Sequence, residues 1–205
     1  MTLYMKQSLS QTIYTEIKRR ILHKEFDSNA MISEHSIAKE FNVSKTPARE
    51  ALMQLSQEGY LSRYPSFGYI IRELSYQDVQ DIMELRFILE SGALRLIVKL
   101  ASDEDIRGLL DIAHEPDDTY AKYHEMNARF HGEIGRLSGN AYLHDDIFRM
   151  ANSTAMPSIY VNFKSRTLTQ SDHHSKIVAA LLERNIDDAI LHLRADILPK
   201  DDGRV

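Results

Sequence analysis

Apolar residues recur every three or four positions over residues 9–24, at Leu9, Ile13, Ile17, Ile21 and Leu22, and predict a helix with one buried stripe. Ser33 precedes Ile37, Ala38 and Phe41, which reads as an N-capped short helix, and Asn42-Val43 reads as a turn. Ser44 then opens a second helix. Pro47 lies in its first turn, where a missing N–H costs little, Ala48, Ala51, Leu52 and Leu55 supply its apolar face, and Gly59 ends it. Two β-rich runs, residues 60–64 and 69–71, flank Pro65-Ser66-Phe67-Gly68 and predict a hairpin.

Strand signals stop at Ser75. Ser75 and Asp78 form a capping-box-like start to a long helix carrying Val79, Ile82, Met83, Leu85, Leu89 and Leu96 and reaching about Leu100. Ser102 opens another helix, broken at 114–118. Further helices are expected over 119–137, 141–151, 154–165, 172–183 and 186–198, with interruptions at Gly139-Asn140 and Pro157. The fold class is therefore mainly α. Residues 1–74 form a winged helix-turn-helix of three helices plus a β-hairpin, and residues 75–205 form an all-α antiparallel helical bundle.

Composition narrows the functions. Of 205 residues, 43% are hydrophobic and 27% charged, as in a globular protein, and no run approaches the ~18 apolar residues of a membrane span. The opening MTLYMKQSLSQ lacks an apolar core, so no export signal is read there. With no cysteine, disulfides and thiolate metal sites are excluded and a cytoplasmic location is expected. The net charge of −5 argues against nucleic-acid binding until it is divided. Residues 1–74 hold ten basic against eight acidic side chains, and the remainder fifteen against twenty-two, so the positive balance sits where the helix-turn-helix is predicted.

In a helix-turn-helix the second helix enters the major groove with its N-terminal residues against bases and phosphates. Here that end is Ser44-Lys45-Thr46-Pro47-Ala48-Arg49. Lys45 and Arg49, four apart, share a face and suit guanine edges or phosphate, while the Ser44 and Thr46 hydroxyls suit phosphate. Gly68, read at the hairpin tip, would let backbone approach the minor groove or phosphate. The same pattern also fits a plain helical pair with a solvated basic edge. The run SEHSIAKEFNVSKTPAREALMQLSQEGYLSRYPSFGYII, however, resembles the DNA-binding domain of the GntR family of bacterial regulators, over nearly all of residues 8–72. The resemblance implies a double-stranded, pseudo-palindromic DNA operator as partner, contacts from Ser44, Lys45, Thr46 and Arg49, and a position for His35 that holds arginine in some relatives.

Seven of the nine histidines lie beyond residue 113. Asn127 and His131 are four apart on one predicted helix, His174 follows His173 at the start of another, and His192 and Asp196 are four apart on the last. Three helices would thus bring nitrogen and oxygen ligands together, a set suited to Zn²⁺, Mn²⁺, Ni²⁺ or Fe²⁺; chance pairs are the alternative. The segment resembles the FCD-type ligand-binding bundle of the FadR-like GntR subgroup in Asn127-Ala-Arg-Phe-His131, in His174 with Ile177 and Val178, in Leu85-Arg86-x-x-x-Glu90 and in Gly139-Asn140. The resemblance implies a divalent metal at Asn127, His131 and His174, a small organic acid effector, and no enzymatic activity. It also implies a histidine where Asp196 stands, so either Asp196 is the further metal ligand in its place or the site is weakened or lost. Arg86 and Arg129 are the candidates to fork onto an effector carboxylate. The expected protein is a homodimeric transcription regulator; a metal-dependent enzyme on the same bundle is the rival reading, and it leaves residues 8–72 without a task.

Overall fold

The computed structural model describes residues 8–23, 25–27, 30–71, 74–115, 120–154 and 170–198. Two compact units are present, Met1–Glu73 and Leu74–Val205.

In the first unit α1 (Leu9–Leu22) starts at Ser8, whose hydroxyl accepts from the Gln11 amide, and buries Ile13, Tyr14, Ile17, Ile21 and Leu22. It packs on α3 (Lys45–Gln57), which buries Ala48, Ala51, Leu52 and Leu55. Tyr14 Oη donates to Glu58 Oε2 at 2.6 Å across that contact. Between them α2 (Glu34–Glu40) is held by a capping box in which Ser33 and Ser36 satisfy each other's amides. Asn42 takes the left-handed conformation the α2–α3 turn needs, at φ 51°.

The hairpin is observed as β2 (Ser62–Tyr64) and β3 (Gly68–Ile70), and a third strand, β1 (Met31–Ile32), pairs antiparallel with β3, giving the order β1-β3-β2. Two residues cannot display a period-2 alternation, so β1 is invisible in the sequence. It explains Gly68. At φ +123° this glycine would carry a Cβ only 2.6 Å from the Ile32 carbonyl oxygen. Its backbone freedom serves the approach of β1 to β3, and it stands at the start of β3 rather than at the tip of the turn. The turn itself is Pro65–Phe67, with Ser66 at φ 66° and Phe67 exposed.

The second unit is helical throughout its described residues: α4 (Tyr76–Leu100), α5 (Asp103–Ala113), α6 (Tyr120–Leu137), α7 (Ala141–Thr154), α8 (Gln170–Leu182) and α9 (Ile186–Ile197). The Ser75–Asp78 capping box and the Ser102 cap stand where the pattern placed them. The helix expected over 154–165 falls almost wholly outside the described residues. α6 and α7 form a close hairpin. A Cβ on Gly132 would sit 2.7 Å from the Phe148 ring, and one on Gly135 2.7 Å from the His144 backbone. Gly139 (φ +73°) ends α6, and the Asn140 side chain accepts from the Tyr142 amide to open α7. α8 and α9 pack against one another and onto α4, and α5 packs on α6 and α8. No helix of the described residues is long and apolar enough to cross a membrane.

Candidate DNA-reading face and candidate metal centre

The N-terminus of α3 presents Ser44, Lys45, Thr46 and Arg49, all exposed, while Ala48 between them is buried against the unit's core. Ser44 occupies the N-cap with no side-chain capping bond, so its hydroxyl is left for another acceptor or donor. His35 is also exposed. Arg49 is not loose. Its Nε donates to both Glu34 carboxylate oxygens, at 3.1 and 3.0 Å, tying α3 to the first residue of α2. Glu34 also lines, with Ser33, Arg63, Tyr64, Phe67 and Gly68, an open hollow of about 250 Å³ beside the hairpin. Arg49 and the hairpin therefore adjoin through one carboxylate.

In the helical unit the sequence-marked residues converge in part. His131 (α6), His174 (α8) and Asp196 (α9) are all buried, and one ligand atom from each lies within 4.8 Å of the others. His131 Nε2 is 3.0 Å from Asp196 Oδ2, and His174 Nε2 is 3.5 Å from the same oxygen. These separations match the ~3.4 Å between ligand atoms set about 2.1 Å from one tetrahedral ion. The other ring nitrogen of His131, Nδ1, is 2.6 Å from Glu90 Oε2, and Arg86 Nε donates to Glu90 Oε1 at 3.0 Å. Asp196, not His192, joins the cluster. His192 lies one turn earlier on α9 with its ring 6.1 Å from that of His173.

Asn127 is half-buried one helical turn before His131, on the same face of α6. Arg129, two residues from His131, points to the opposite side. It is exposed and forks onto Glu115 at 2.7 and 2.8 Å. Arg86 is buried behind Glu90 rather than open to a ligand. The structure thus brings neither arginine to the cluster as a free carboxylate fork. Sequence reasoning missed the joint role of Arg86 and Glu90. The signal was there: both occupy the buried stripe of α4 that otherwise runs Val79, Met83, Ala93, Leu94 and Ile97.

Burial opposes charge on His131, but the Glu90 and Asp196 carboxylates outweigh it and raise its pKa. Burial likewise opposes charge on Asp196, yet His174 and His131 hold it well below the usual carboxylate range. His174 stacks on Phe130 at 4.0 Å between ring centroids, and its two buried ring nitrogens make no regular hydrogen bond among the described residues. A buried imidazole without such partners is costly. Two imidazole nitrogens and a carboxylate oxygen around one point, with His131 oriented from behind by Glu90, fit a divalent ion.

Comparison with known proteins gives both units counterparts. Residues 9–71 match the model of the bacterial regulatory proteins, gntR family, and residues 81–198 match the FCD domain. The chain is 30% identical over 176 residues to the Nta operon transcriptional regulator of Aminobacter aminovorans, covering 84% of this chain and 83% of that one. It is 27% identical to the Gluconate operon transcriptional repressor of Bacillus subtilis (strain 168), over 67% of this chain and 58% of that one. Among solved structures it resembles E. coli McbR/YncC with a TM-score of 0.71 at 18% identity over 94% of both chains, a likeness that bears on the fold alone.

Proposed function

Because the chain belongs to the gntR family of bacterial regulatory proteins and carries an FCD domain, it is a DNA-binding transcriptional regulator, and we propose that a small carboxylate, held in the helical unit on a divalent ion, sets its affinity for an operator. The observation that carries this reading is the buried triad of His131, His174 and Asp196, with His174 lacking regular hydrogen-bond partners. Those three residues would hold the ion, with Asn127 one turn from His131 as a further oxygen ligand. A bound ion supplies a Lewis-acid attachment point for the effector's carboxylate. Glu90 fixes the tautomer and the pose of His131, and Arg86 neutralises Glu90. Asp196, where the family resemblance implies a histidine, adds negative charge and an oxygen donor, which shifts preference among Zn²⁺, Mn²⁺, Ni²⁺ and Fe²⁺ toward the harder ions. Neither Arg86 nor Arg129 is assigned to the effector, given their pairing with Glu90 and Glu115.

On the DNA side we assign Lys45 and Arg49 to base edges or phosphate and Ser44, Thr46 and His35 to phosphate, in a cytoplasmic homodimer on a pseudo-palindromic site. Purified protein, stripped and then reloaded with each ion, is titrated by fluorescence anisotropy against its own upstream DNA and against random duplex, with and without small carboxylic acids. The expected result is salt-sensitive preference for upstream DNA that an acid shifts roughly 5–150-fold, in metal-loaded protein only. Equal affinity for both duplexes overturns the operator reading. An acid response that survives stripping overturns the metal's part in it.

A further inference from the structure

α4 buries one stripe and leaves another bare. Setting Ile88 at 0° and advancing about 100° per residue places Asp81, Glu84, Leu85, Gly92, Arg95 and Lys99 within about 60° of it. Apart from half-exposed Gly92 these positions are exposed, Leu85 at 46% and Ile88 at 61%. A Cβ added at Gly92 would meet nothing within 4 Å. Glu84, Arg95 and Lys99 make no ion pair among the described residues.

The order of these residues is what gives the stripe a partner. Its N-terminal end is acidic (Asp81, Glu84), its centre apolar (Leu85, Ile88) with a glycine notch (Gly92), and its C-terminal end basic (Arg95, Lys99). Turn a second α4 antiparallel about an axis through position 90. Asp81 then faces Lys99, Glu84 and Leu85 face the turn of Arg95 and Leu96, and Ile88 faces Gly92. Every pairing is reciprocal, as a two-fold interface requires. The notch receives Ile88 and lets the backbones approach, and opposite charges close both ends over about 27 Å of helix. A parallel pairing would set like against like at every charged position.

We propose that this face of α4 is the subunit interface of the protein: a second copy docks on it antiparallel, Ile88 of one copy against Gly92 of the other, with the Asp81/Glu84 and Arg95/Lys99 ends crossed. The inference rests on the dimeric reading above and names the surface that reading requires. Two charge-reversed full-length chains test it, one carrying D81K and E84K and the other R95E and K99E. Each alone opposes like charges, so its dimerisation should weaken about tenfold or more by sedimentation equilibrium. Mixed in equal amounts they should form a heterodimer, seen by native mass spectrometry, at close to wild-type affinity. I88D should give monomers with an unchanged far-UV circular dichroism spectrum. A wild-type dimer indifferent to both reversals, or a mixture without preference for the heterodimer, overturns this interface. A wild-type chain that is monomeric at all concentrations overturns the dimeric reading itself.

Discussion

Single side chains decide the chemistry of the helical unit. Glu90 touches no proposed ion, yet its carboxylate holds His131 Nδ1 at 2.6 Å, which leaves Nε2 of that ring facing Asp196. E90Q should lower divalent-metal affinity about 10–100-fold by competition titration while leaving operator binding of the stripped protein in place. The metal-free cluster should also shape stability against pH. The folded pKa of His131 is raised above its ordinary value near 6.5, so its contribution is complete below that value and is lost as pH climbs through the folded pKa. Asp196 is depressed, so its contribution is present above the ordinary carboxylate range and lost only in strong acid. Thermal midpoints of stripped protein should therefore fall from mildly acidic toward alkaline pH, and H131N should flatten that fall. Metal loading should reverse the trend, since ligand imidazoles must be neutral.

Elements inherit their positions from local chemistry, and here the sequence was readable. Ser33, Ser75 and Ser102 cap the helices their patterns announced, because a cap is a contact within three residues. What stayed hidden needs partners from far along the chain. Arg86 looked like a ligand fork because nothing local says that Glu90 will be buried beside His131, 41 residues on. β1 and the crowding at Gly68 are equally non-local. That crowding predicts that G68A destabilises the first unit by about 1–3 kcal/mol, through both the positive φ and the 2.6 Å approach to Ile32, with a matching drop in thermal midpoint. On α3, K45A should weaken binding to all duplexes alike and reduce the salt slope by about 1. R49A should instead erode the preference among sequences.

At the scale of the whole molecule two units share one chain, a winged helix-turn-helix and an FCD bundle. Their charges differ in sign, with residues 1–74 slightly basic and the rest acidic. The homodimer proposed above would read half-sites about one helical turn, or a multiple of it, apart. Footprinting on upstream DNA should find an inverted repeat with that spacing, and inserting five base pairs at its centre should abolish tight binding while a ten-pair insertion restores part of it. Loss of binding with both insertions, or with neither, contradicts a rigid two-fold reader.

The pairing of Arg49 with Glu34 also bears on how quickly such a protein finds its site. Nε is occupied by the carboxylate, and the terminal nitrogens of Arg49 make no bond among the described residues, so they are left to reach outward. A guanidinium already neutralised in part displaces fewer condensed ions from arbitrary duplex, and the adjacent carboxylate repels phosphate. If Arg49 contacts DNA as proposed, residence on random DNA would be shortened more than residence on a site where the terminal nitrogens find a guanine. On that proposal Glu34 would trade grip for speed of search: E34Q should lengthen the dwell of single molecules on non-cognate DNA and slow their arrival at the operator.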